Sequence, residues 1–104
     1  MWLPALMWRL DKEWKGLRFE IPWVNTFPSD LIRKHVRFTL QPIDAPPNRE
    51  QLLQTIEQLE SDELLMYSSD YPHWHNSADA LLAALNEEQR VKIVGKNAKA
   101  FYGF

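Results

Sequence analysis

A carboxylate and two imidazoles fall close together at Asp70, His73 and His75. They sit in a polar run that also holds Ser68, Ser69, Tyr71, Pro72 and Trp74. Just ahead lies an apolar stretch, Leu64, Leu65, Met66 and Tyr67. Its length and its aromatic suit a strand buried on both faces, as in a parallel sheet. In α/β barrels the C-terminal ends of the strands face the active site. A carboxylate there, with imidazoles a few residues on, has the donors to ligate a metal or to move protons. Plainer uses stand beside that one. An Asp after a strand is a common turn former or helix cap. Trp74 can line a pocket mouth or simply pack, and His75 can face substrate or water. His35 has no motif around it and reads as structural or solvent-facing.

The rest of the chain must position that run. Leu3, Met7, Leu10, Trp14 and Leu17 are spaced 4, 3, 4, 3, which is one helical stripe, with Pro4 in a first-turn position and Gly16 as a stop. The stretch 20–29 holds Pro22, Asn25 and Pro28 and reads as an ordered loop, followed by a helical turn over 30–34. Val36, Phe38 and Leu40 alternate with Arg37 and Thr39, the pattern of a strand. Asn48 with Gln51 three residues on resembles a capping box for a helix that carries Leu52, Leu53, Ile56 and Leu59. After the polar run come a helix over about 79–85 and another over about 87–94, capped by Asn86. A last turn starts at Asn97.

This order, helix, strand, helix, strand, helices, favours an α/β fold with a parallel sheet and outer helices. Two parallel strands leave bare hydrogen-bonding edges on both sides. The pattern therefore reads as part of something larger. The expectation is that Val36–Leu40 and Leu64–Ser69 lie side by side in parallel, joined by the helix around 52–59, with an apolar face left uncovered.

Composition narrows the function classes. The chain has 104 residues, room for one domain, and its 45% hydrophobic and 25% charged residues suit a folded protein. A net charge of -2 gives no basic field for nucleic acid. Without cysteine there is no disulfide, thiolate metal site or cysteine nucleophile, which fits a cytoplasmic location. No apolar run approaches the ~20 residues of a membrane span, and no convincing signal peptide opens the chain. Of the five tryptophans, Trp2, Trp8 and Trp14 lie in the first helix, so that helix has much apolar surface to hide.

The segment Leu65–Met66–Tyr67–Ser68–Ser69–Asp70–Tyr71–Pro72–His73–Trp74 resembles the strand-8 signature of the amidohydrolase-related family. That family includes aminocarboxymuconate-semialdehyde decarboxylase and γ-resorcylate decarboxylase. Trp2–Leu3–Pro4 and Arg9–Leu10–Asp11 are similar to the helix after the family's strand 6. Pro28–Ser29–Asp30 and Val36–Arg37–Phe38–Thr39–Leu40–Gln41–Pro42 resemble the approach to strand 7 and the strand itself. Asn97–Ala98 and Phe101–Tyr102–Gly103 resemble the family's ending.

The resemblance implies the C-terminal portion of a TIM-type (β/α)8 barrel, about strands 7 and 8 with flanking helices, across residues 1–104. It implies a metal-dependent hydrolase or carboxy-lyase acting on a small organic substrate. Asp70 matches the family's strand-8 aspartate, which binds the catalytic metal and handles a proton. His73, within the signature, fixes the loop or orients a ligand. Trp74 and His75 are weaker substrate-side candidates, since His75–Asn76 stands where close relatives often carry an aspartate. The family's His-x-His pair and its strand-4 and strand-5 ligands have no counterpart here. Zinc, or else manganese, is thus expected in the complete barrel and not held tightly by this chain alone. The expected partners are an N-terminal complementing chain or further copies of this one. The rival reading is an inactive remnant or interaction subunit that associates through exposed strand edges.

Overall fold

The computed structural model describes residues 1–73 and 78–104. The chain starts with α1 (Leu3–Leu17), which spans the apolar stripe with Pro4 in its first turn; Gly16, expected as the stop, lies within the helix. Leu3 and Met7 face the core, and Met7 is fully buried. The distal half of the stripe is less well covered, and Leu17 is exposed. Helix α2 (Pro28–His35) begins two residues earlier than the sequence pattern suggests. Phe27 precedes it and has no capping side chain. Asp11 of α1 supplies the cap instead, accepting from the Ser29 N–H at 2.9 Å. Arg9, two residues before Asp11, pairs instead with Glu13 at 2.7 Å. A carboxylate at a helix N-terminus gains both free N–H groups and the helix dipole.

Strand β1 (Phe38–Thr39) leads through a loop to α3 (Arg49–Glu57) and then to β2 (Leu65–Met66). Asn48 caps α3 by accepting from the Glu50 and Gln51 N–H groups. Leu52, Ile56 and Leu59 turn inward as expected. The two strands pair in parallel, with Phe38 opposite Leu65 and Thr39 opposite Met66. Phe38 and Leu40 donate their N–H groups to Leu64 and Met66 at 2.8 and 3.0 Å. The strands are shorter than the alternating patterns around them. Tyr67, expected inside, is 46% exposed, whereas Leu64 and Met66 are buried.

Arg33 ties α2 to the end of α3. Its guanidinium donates to the Leu59 carbonyl at 3.0 Å and to Glu60 at 2.9 Å. The C-terminal part comprises α4 (Asp79–Ala84), α5 (Glu87–Val91), a π-helical turn (Lys92–Lys96) and α6 (Asn97–Tyr102). Asn86 and Gln89 form a reciprocal capping box at the start of α5. Leu81, Leu85 and Ile93 join Leu40, Leu52, Ile56, Leu59 and Leu64 in one core. Among the described residues no helix is long and apolar enough to cross a membrane.

Candidate functional site

The strand ends β1 and β2 bring two polar segments together. Parallel pairing puts both C-terminal ends on the same side of the sheet. Continuing the register beyond the ladder sets Gln41 beside Ser68, and the Gln41 N–H donates to the Ser68 hydroxyl at 3.3 Å. Thr39 and Gln41 share one sheet face by alternation, as Met66 and Ser68 do on the neighbouring strand. The Gln41 side-chain oxygen is buried with no hydrogen-bond partner among the described residues. An acceptor of this kind carries a desolvation cost until a donor reaches it. The sequence reading gave Gln41 no role, because burial of its oxygen depends on tertiary packing.

Asp70 follows Ser68 and Ser69 at this end. Its backbone is left-handed, with φ 54°. Asp is one of the few non-glycine residues that visits this region readily. The next residues fold into a tight turn in which the His73 N–H donates to the Asp70 carbonyl at 2.9 Å. The Tyr71 N–H donates to the Ser69 hydroxyl at 3.3 Å. The Tyr71–Pro72 peptide inside the turn is cis. Asp70 and His73 are thus held in one short turn at the strand's C-terminal end, both exposed. Trp74 and His75 lie outside the described residues. His35, at the end of α2, is exposed and on a different element, in line with its solvent-facing reading.

The described strands thus form a parallel pair joined by a helix, and Asp70 follows the second strand. The family model for amidohydrolases matches residues 1–104, the whole sequence. The chain belongs to the amidohydrolase family. Curated proteins offer no match to it. This family is one of metal-dependent hydrolases and lyases, usually loaded with divalent metal and built on the (β/α)8 barrel, and the mixed α/β order seen here accords with that fold.

The donor set can be tested against such a metal. Catalytic zinc usually takes three protein ligands. Among the described residues no three His, Cys, Asp or Glu side chains gather in a metal-holding group. Asp70 offers one carboxylate, with His73 three residues on. The described residues therefore do not by themselves assemble the donor set of such a site.

Proposed function

We propose that this chain is the C-terminal part of an amidohydrolase barrel, a metal-dependent hydrolase or carboxy-lyase, and that Asp70 is its contribution to the metal centre. The observation that carries the reading is the position of Asp70. It lies just past the C-terminal end of a parallel strand, in a left-handed conformation that a tight turn holds. The C-terminal ends of barrel strands are where active sites of this fold are built.

The sheet supports the partial-barrel reading. Its two described strands pair in parallel, which alone they cannot do as a closed structure. Trp2 and Trp8 on α1 are 60% and 52% exposed, apolar surface that a complete barrel has neighbours to cover. A divalent metal, when bound, acidifies water and polarises carbonyl oxygens. The part of this chain is to present a carboxylate that ligates and accepts a proton, with His73 and the Ser69 hydroxyl fixing the loop that carries it. The substrate is a small organic acid, amide or lactone, and the other metal ligands come from the N-terminal part of the barrel.

The test is complementation. The N-terminal portion of a related amidohydrolase is co-expressed with this chain, and metal content and turnover are measured. Joint purification with about one metal per complex, and activity lost on Asp70→Asn but kept on His35→Asn, is the expected result. Full activity in the Asp70→Asn complex would remove Asp70 from the site. A second reading, association without catalysis, draws on the exposed α1 tryptophans. It predicts assembly of this chain with itself and no metal uptake with the complementing part present.

A further inference from the structure

The two outer edges of the sheet are treated differently. Phe38 and Leu40 direct their N–H groups toward β2, so the N–H and carbonyl of Thr39 point to the opposite edge, where Thr39 is exposed. On β2, Leu64 and Met66 give their carbonyls to β1, so the Leu65 carbonyl and the Tyr67 N–H point outward. Both of these outward groups are occupied. The Tyr67 N–H donates to the Ile93 carbonyl at 2.9 Å. The Leu65 carbonyl accepts from the Asn97 side-chain amide at 2.9 Å.

The helix is shaped for the contact. Within the π turn the Asn97 N–H reaches back five residues to the Lys92 carbonyl. In an ordinary α-helix it would take the Ile93 carbonyl. The wide turn therefore releases that carbonyl, and the Tyr67 N–H receives it. Inserted π turns of this kind often mark functional places. Asn97 also donates to the Asp62 carbonyl at 2.7 Å, and Lys92 pairs with the Asp62 carboxylate. Ile93 and Asn97 are both buried. A helix thus supplies one acceptor and one donor along β2 where a neighbouring strand would supply them.

We propose that the helix over residues 92–102 is an edge guard, a built-in autoinhibitory contact that holds the outer side of β2 closed to strand pairing and leaves β1 as the edge open to growth. Covering an edge with a helix is a known way to block edge-to-edge association. Under the function proposed above, this is the edge at which the barrel ring closes, so the guard must withdraw before a complementing chain can complete the ring. That consequence rests on the proposed function; the guard itself does not.

Amide hydrogen exchange on the chain alone, without metal or partner, tests the guard. The Tyr67 amide should exchange at least about tenfold more slowly than the Thr39 amide, since one is bonded and the other faces the open edge. Asn97→Ala should speed Tyr67 exchange about five- to tenfold, with helix content by circular dichroism unchanged. It should also shift sedimentation toward larger species, because a second edge opens. Deleting Gly95 removes the extra residue of the π turn, restores α-helical register and should abolish Tyr67 protection. Equal exchange at Tyr67 and Thr39 in the unmodified chain overturns the proposal even if both variants fail to fold. So does an Asn97→Ala chain with unchanged exchange and size. Failure of complementation with normal Tyr67 protection would count against the proposed function and not against the guard.

Discussion

Left-handed backbone at Asp70 suits Asp, Asn and Gly and penalises most other side chains. Substitutions can therefore separate what the backbone needs from what the carboxylate does. Asp70→Ala should cost about 1 kcal/mol of stability, the usual scale for a side chain forced into this region. Asp70→Gly should cost nothing or stabilise slightly, and Asp70→Asn should stay within ~0.5 kcal/mol of the parent. Urea unfolding of the chain measures all three, and an Ala variant as stable as the Gly variant would show that the turn, not φ, sets the preference. The residue's place was legible in the sequence, because an apolar run followed by Ser-Ser-Asp marks a strand end. Its backbone conformation was not, since that depends on the turn through His73. The orphaned Gln41 oxygen was hidden for a similar reason: a Gln before a Pro reads as loop, and nothing local says that packing will bury it.

At the scale of elements, the caps and the C-terminal helix carry the most direct expectations. Asn48→Ala should lower stability by about 1 kcal/mol, since it strands two N–H groups at the start of α3. Thermal melts check it. Lys92, at the junction of the π turn with the segment before β2, has its pKa raised, first by the hydrogen bond to Asp62 and then by the charges of Asp62, Glu88 and Glu63, against an opposing effect of burial. A group with a raised folded-state pKa stabilises fully below its unfolded value and loses that contribution as pH climbs through the folded one. The Lys92–Asp62 contact should therefore be intact at neutral pH and released above the ordinary lysine range of about 10.4. Tyr67 amide exchange, corrected for its intrinsic pH dependence, should accelerate across that alkaline window, and Lys92→Met should abolish the step. The sequence pattern found α1, though it placed its stop at Gly16, and it found both strands, because 3.6 and 2 periods are local. It split the last helix near Val94 and Asn97, whereas the structure runs it through as α5, π turn and α6. The helix widens there by a residue, and the freed Ile93 carbonyl accepts from the Tyr67 N–H just after β2, a partner no local pattern contains.

The whole molecule is looser than its length requires. A compact domain of this size has a radius of gyration near 13 Å, whereas this chain has 15.4 Å. Its surface carries Trp2, Leu6, Trp8, Phe19 and Trp23 in the first quarter of the chain. Burial of large aromatics dominates core and interface energetics, so that much exposed aromatic surface drives association. With the outer edge of β2 guarded and that of β1 open, pairing through strands is limited to one side of each copy. The isolated chain should therefore form small assemblies, dimers foremost, and not open-ended fibres, since a single sticky edge closes on itself. Sedimentation velocity across a concentration series should show this species and bound hydrophobic dye. Adding an N-terminal amidohydrolase portion should replace self-assembly with a one-to-one complex, because the same apolar face and the same β1 edge serve both. Dye binding should fall as that complex forms, and metal uptake should rise with it. A chain that sediments as a monomer with a sharp thermal transition and no dye binding would mean that its apolar surface is already satisfied. In that event the partial-barrel reading would lose its physical basis, whatever the sequence likeness.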